Sequence, residues 1–349
     1  MHVGNSRNCH CKLFSRLHGR HSMTTRLLTS SDCWSLFSTD EFTHELEMTL
    51  VQYANGGIME APPQRVMLDS APQGAAIVPM TATDITKGLF CTKVLVDHPQ
   101  NRAKGLPAQR STIALFSSQT GECLGLIDGY ALTQLRTASM TLLATRTLAN
   151  RGAQTLGIIG AGALAHRHAI MLCKALELSQ LLIWSRNPEH ATASARNIAE
   201  ALPGTAVRAT DSIHEVCAHS DIVCTLTPSE TPLIDASMLH PGLHINAAGS
   251  PPRPQFREID EDAMEACHLF ADDARIALRE SGNLAHMSNP PHITELAEVV
   301  SGAKPGRHTA HDITLYNSIG VAYEDLACAD YLLRKAAAQH VGARVALRP

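Results

Sequence analysis

No apolar run in this 349-residue chain approaches the ~18–20 residues that a bilayer-spanning helix needs. No membrane partner is therefore expected. An excess of basic charge is missing as well. Twenty-nine Lys and Arg stand against 33 Asp and Glu, a net charge of −4, whereas a general nucleic-acid binder is usually basic. Beyond residue 22 the eight cysteines lack any framework spacing, which excludes a disulfide scaffold there and leaves no metal centre to expect in the folded part. Several, such as Cys224 in DIVCTL, sit inside apolar runs and read as small buried hydrophobes. A reducing cytoplasm is the expected compartment. Residues 1–22 lack acids altogether, while carrying Arg7, Lys12, Arg16 and Arg20. Three readings of this extension stand open: a start codon upstream of a true Met23, an Arg- and Ser-rich targeting peptide, or a Cys9-x-Cys11 metal site with His10. The last lacks a second ligand pair. The segment is set aside from the fold.

What is present is a globular composition, 44% hydrophobic and 18% charged, at a length that suits two domains. Residues 30–56 read as helical, with Ser30, Ser31 or Thr39 as caps and Phe42, Leu46, Leu50, Val51 and Ala54 on one face. From 64 to 128 the pattern is strand-like: RVML, AAIVPM, LFCTKVLV, STIALFSS and CLGLID. The last two form a predicted hairpin turning at Gln119-Thr120-Gly121. A helix is predicted over 133–148. Strands then alternate with helices: strands at 156–159, 181–184, 206–209, 222–226, 244–248 and 268–271, helices at 163–178, 191–202 and 213–218. That alternation predicts an α/β fold with a doubly wound parallel sheet. A long helix is predicted over 317–338.

The run LGIIGAGALAHRH, residues 156–168, carries the most specific chemistry. An apolar strand enters the turn Gly160-Ala161-Gly162, and an Ala-rich helix leaves it with Ala165 three residues on. This is the Gly-x-Gly-x-x-Ala form of the dinucleotide fingerprint. Gly160 permits a tight turn, Gly162 admits a pyrophosphate to the backbone, and the helix N-terminus favours the anion. Ala163 and Leu164 complete the predicted loop. If the ligand were NAD, an acid should end the second strand about 20 residues on, to bond the ribose 2′-OH. That position reads Ser185-Arg186-Asn187. An Arg and a Ser suit a 2′-phosphate, and charge-assisted hydrogen bonds are worth about 1.5–3 kcal/mol each. The expected cofactor is NADP(H).

With TKVLVDHPQNRAKGLPAQRSTIALFSSQTGECLGLIDGYALTQLRTA, GIIGAGALA, HINAAGS, REID, ESGNL and NSIGVAYEDL, the chain resembles the ornithine cyclodeaminase/mu-crystallin family from about residue 30 to 333. The resemblance implies a Rossmann dinucleotide domain over 133–317. A substrate-binding and dimerisation domain would be built from 23–132 and 318–349, and the chain would form a homodimer. It also implies that Lys93, Arg136 and Arg65 hold a substrate carboxylate. An Arg fork fits a carboxylate bidentately and Lys adds a point charge. Thr225, Thr227, Ala248, Ser250 and Ser318 would line the cofactor crevice, with Gly320 nearby. Ser250 and Lys93, with Arg136, are the residues expected at the reacting centre, the proton donor being left open.

One departure separates activities within the family. Cyclodeaminases carry an Asp in the loop after the HINA-type strand to move protons at the substrate amine. Here that loop reads AAGSPPRPQFREID, and Glu258 and Asp260 lie well along the chain. General acid–base groups contribute about 10²–10⁴-fold, so the loss disfavours a cyclodeaminase. The Ser loop resembles the family's ketimine reductases. They reduce Δ1-pyrroline-2-carboxylate to L-proline and Δ1-piperideine-2-carboxylate to L-pipecolate. Alternatives are an ornithine cyclodeaminase, an alanine or N-alkyl amino acid dehydrogenase, and a low-turnover NADPH-gated binding protein.

Overall fold

The computed structural model describes residues 24–68, 74–251, 253–287, 289–290 and 292–347. The extension 1–22, with its three readings, lies outside the described residues. Ala76–Asp84 (β4), with buried and less buried residues alternating, pairs with Leu89–Asp97 (β5), and Gln109–Ser117 (β6) extends the antiparallel meander into Cys123–Asp128 (β7). The predicted hairpin is present, with Gly121 at φ +74° in its turn. Thr24–Leu28 (β1), Ile58–Ala61 (β2), Val66–Met67 (β3) and Ala343–Ala346 (β16) extend this to an eight-stranded sheet. Its order is β16-β1-β7-β6-β5-β4-β2, with β3 also on β4.

The helix predicted over 30–56 is two helices, Ser30–Leu36 (α1) and Thr39–Ala54 (α2). Phe37 and Ser38 are extended (ψ 135° and 123°), and Phe37 turns its ring onto Phe42. The first cap is Thr29, in a reciprocal box with Asp32, rather than Ser30 or Ser31. The helix predicted to begin at 133 begins at Gly129 (α3, Gly129–Leu148), because Asp128 accepts from the Tyr130 amide at 3.0 Å. It is buried along most of its length.

Beyond it lies the second sheet. Thr155–Ile159 (β8), Gln180–Trp184 (β9), Ala206–Thr210 (β10), Ile222–Thr225 (β11), His244–Ala247 (β12), His268–Ala271 (β13), Ile293–Glu295 (β14) and Thr314–Asn317 (β15) pair in parallel throughout. The order is β10-β9-β8-β11-β12-β15-β13-β14. Chain direction across the sheet reverses between β8 and β11, the topological switch point of a Rossmann fold. Ala163–Leu176 (α4), Pro188–Ala201 (α5) and Ile213–Ala218 (α6) are its crossover helices. Buried polar bonds tie α3 to this sheet and to α4: Asn246 of β12 donates to the Thr145 hydroxyl at 3.0 Å, and Thr141 meets His168 Nε2 of α4 at 3.0 Å.

The long C-terminal helix is Ala322–Gln339 (α11), not 317–338. Asn317 ends β15, and residues 318–321 form the turn between them. The four-residue strand TLYN is wholly buried and too short to show a period of its own. The helical apolar pattern that starts at Ile319 therefore ran over its end. Glu261–Glu265 (α7), Ala274–Glu280 (α8), Gly282–Ala285 (α9) and Leu296–Val300 (α10) complete the elements used below.

Candidate active site

The glycine loop sits at the switch point. Gly160 has φ +136°, and a Cβ there would stand 2.7 Å from the Leu226 carbonyl oxygen. Both conformation and space demand glycine. Gly162 is the N-cap of α4, and a Cβ built on it would meet nothing within 4 Å. Its surroundings are open above the 14-residue helix, a geometry that fits a pyrophosphate. Ala161 is half-buried, Ala163 exposed and Leu164 half-buried, while Ala165 is packed inside. At the end of β9, Arg186 is exposed and Ser185 half-buried. Asn187 has a structural duty: its side chain caps α5 by accepting from the Glu189 amide at 2.9 Å.

A cleft opens beside the first sheet, and Arg65, Lys93 and Arg136 all line it. Val78, Met80 and Leu95 give it an apolar wall. The three cations come from distant parts of the sequence: the segment before β3, the middle of β5, and α3. The two deeper ones are held from behind by the first turn of α11. Lys93 Nζ lies 2.6 Å from Asp325 Oδ2, and Arg136 Nη1 lies 3.0 Å from Glu324 Oε2. Burial works against the Arg136 charge, and Glu324 and Asp325 outweigh it. Burial drives the Glu324 carboxyl well above its ordinary range, with Asp272 adding repulsion.

Asp272, just after β13, holds the turn that follows β15. One oxygen accepts from the Ile319 and Gly320 amides at 2.8 and 2.9 Å, and from Ser318 Oγ at 3.4 Å. The other takes the Tyr316 hydroxyl. Burial raises this carboxyl to about 6. Ser318 therefore spends its hydroxyl on Asp272, and Gly320 lies against the Arg136 guanidinium. A second buried acid organises the opposite side of the crevice. Glu258 accepts from the Thr227 amide and hydroxyl at 2.7 Å each, from the Gly249 and Ser250 amides at 3.1 and 3.0 Å, and from Ser250 Oγ at 3.4 Å. Separation along the chain misled the reading of Glu258: the loop folds back and brings it onto Ser250. Thr225 is buried at the end of β11, and Ala248 follows β12 half-buried. Asp272, Glu324 and Asp325, which hold the Gly320 turn and the two deeper cations, are not among the residues expected from the sequence. The pair Glu324-Asp325 stands within NSIGVAYEDL, and its acids at a helix N-terminus were the available signal.

An α/β chain with a Rossmann sheet, a glycine loop at the switch point and a cation-lined cleft defines the class. The sequence model of the ornithine cyclodeaminase/mu-crystallin family matches residues 23–340, and the chain belongs to that family. Among its relatives, rat ketimine reductase mu-crystallin is 31% identical over 287 residues, 81% of this chain and 88% of the relative. A Bacillus cereus Δ1-pyrroline-2-carboxylate reductase is 30% identical over 311 residues, 85% of this chain and 94% of the relative. The solved structure of Thermococcus litoralis Δ1-pyrroline-2-carboxylate reductase in complex with NADH and L-proline superposes with a TM-score of 0.85. It is 28% identical and covers 92% of this chain and 100% of its own. An archaeal alanine dehydrogenase dimer with bound NAD reaches 0.86 at 26% identity, covering 93% and 100%.

Proposed function

We propose that this chain reduces cyclic 2-imino acids, Δ1-pyrroline-2-carboxylate to L-proline and Δ1-piperideine-2-carboxylate to L-pipecolate, with NADPH. The observation that carries the reading is the convergence of Arg65, Lys93 and Arg136 on one cleft beside the Gly320 turn. Relatives named for the same reaction support it. The division of labour proposed is 23–132 with 318–349 for substrate and dimerisation, and 133–317 for the cofactor. Gly160, Ala161, Gly162, Ala163 and Leu164 would hold the pyrophosphate, and Ser185 with Arg186 the 2′-phosphate. When bound, the cofactor supplies a hydride to the imine carbon. The ring nitrogen takes one proton, so C=N becomes CH–NH.

The chain's own part is positioning. Arg136 and Lys93 clamp the carboxylate, Arg65 closes on it, and the apolar wall receives the ring and excludes water. The acids behind Lys93 and Arg136 fix their side chains in advance of substrate. Ser250 and Thr227 face Glu258, whose oxygens are occupied by backbone and hydroxyl donors. That acid therefore serves the loop, which weighs against a cyclodeaminase. A homodimer in the cytoplasm is the proposed working form.

The test offers the chain NADPH with each cyclic imine, pyruvate with ammonia or methylamine, and ornithine with NAD. The expected outcome is rapid NADPH loss with the imines alone. Proline and ammonia released from ornithine would overturn the reading, as would tight NADPH binding without turnover. Arg186→Ala is expected to reduce the preference for NADPH over NADH at least tenfold. An unchanged ratio would remove Arg186 from the cofactor site.

A further inference from the structure

The cleft and the loop carrying Ser250 meet at a carboxylate. Asp97 ends β5, four residues past Lys93 and on the same face of the sheet. Its Oδ2 lies 3.7 Å from Nη1 of the cleft-lining Arg65 and also pairs with Nη2 of Arg253. Arg253 belongs to the loop after β12, on the other sheet. It is buried, and its Nε has no hydrogen-bond acceptor among the described residues. Asp97 is thus the acid that this loop guanidinium shares with a guanidinium of the cleft.

The loop is tied to itself and to α9. At its two ends Glu258 takes the Gly249 and Ser250 amides. Asn283 Oδ1 accepts from the Glu258 amide at 2.8 Å and the Ile259 amide at 3.2 Å. Gly282 passes so close that a Cβ would lie 2.0 Å from the Phe256 carbonyl oxygen. A shift at Arg253 therefore has little slack to absorb it before Ser250 and Thr227.

We propose that Asp97 is a positioning residue that couples carboxylate occupancy of the cleft, through Arg253, to the Ser250 loop. This rests on the reading of the cleft as a carboxylate site. Two guanidiniums compete for one carboxylate in a partly desolvated setting, where such pairs are strong. A substrate carboxylate that engages Arg65 weakens its claim on Asp97 and leaves Asp97 to Arg253. The loop is then held against the first sheet when substrate is present. By linkage, the held loop also favours the carboxylate.

The experiment compares the full chain with Arg253→Gln, Asp97→Asn, the double variant and Arg253→Lys. It reads the reduction of Δ1-pyrroline-2-carboxylate by NADPH, and amide hydrogen exchange of residues 249–257 with and without L-proline in the presence of NADP+. Each single substitution is expected to lower kcat about tenfold while the KM for NADPH stays within twofold. The double variant should be no worse than the poorer single. L-proline should slow exchange of the loop in the parent, not in Arg253→Gln, and Arg253→Lys should recover part of both effects. The proposal is overturned if the two losses multiply, or if Arg253→Gln keeps parental kcat and proline protection. Should the parent fail to turn over the imine, the proposed function falls, and exchange without ligand decides the coupling. Both single variants and the double must then speed loop exchange equally, and parental exchange in Arg253→Gln would refute it.

Discussion

Gly320 carries two demands at once. Its φ of +72° lies in the left-handed region, and a Cβ would stand 2.5 Å from both terminal nitrogens of Arg136. Alanine there costs about 1 kcal/mol in backbone conformation and pushes the guanidinium off its place against Glu324. Gly320→Ala is expected to raise the KM for the imine at least tenfold, with NADPH affinity within twofold of the parent. Steady-state kinetics and cofactor titration check the split, and an unchanged KM would mean that the Arg136 position does not govern substrate binding. Residues of this kind differ in how readable they were. Lys93, Arg136 and Arg65 could be picked out through the motifs around them. Their partners could not, because Asp97 to Arg253 and Lys93 to Asp325 are contacts between segments that no local pattern relates. Glu258 shows the same limit from the other side, since its nine-residue distance from Gly249 conceals a direct hydrogen bond.

At the scale of the element, the start of α11 concentrates acid. Glu324 and Asp325 lie in its first turn, and Glu60 from β2 accepts from the Ala322 amide at 2.8 Å. Negative charge suits a helix N-terminus, yet burial raises the Glu60 carboxyl to about 8. The folded chain then holds a proton that the unfolded chain, with a carboxyl near 4.3, releases. Folded stability from this group is complete at low pH and is lost as pH rises through about 8. Asp272, raised to about 6, contributes the earlier part of the same fall. Glu60→Gln keeps an oxygen for the Ala322 amide and removes the titration. Its melting temperature should drop less between pH 6 and pH 9 than that of the parent. An equal drop in both would place the pH dependence elsewhere. The α11 boundary itself was misjudged by the sequence pattern, whereas the helices flanking the glycine loop were found to within a few residues.

For the whole molecule, the two faces of the first sheet differ. α11 and α3 cover the face that carries Lys93. On the opposite face, strand alternation places Pro79, Phe90, Val94, Phe116 and Leu126. Phe90 and Phe116 pair across β5 and β6 at 5.8 Å, and Val94 is 42% exposed. An apolar sheet face that no helix of the chain covers suits an interface, and we propose that the homodimer forms here. Val94→Lys is expected to convert a particle of about twice 37.6 kDa into one of that mass in light scattering. A variant that stays dimeric would exclude this face.

The sequence by itself determined the Rossmann half of the molecule, the glycine loop and the family. Each depends on short-range signals: the period of burial, the turn chemistry of Gly160 and Gly162, and motifs of fixed spacing. Tertiary structure alone decided which charges meet. The buried pairs Lys93 with Asp325 and Arg136 with Glu324, the Asp97 junction, and the turn held by Asp272 join residues from different elements. Such pairs form only where the packed sheets exclude water and bring opposite charges from different elements together.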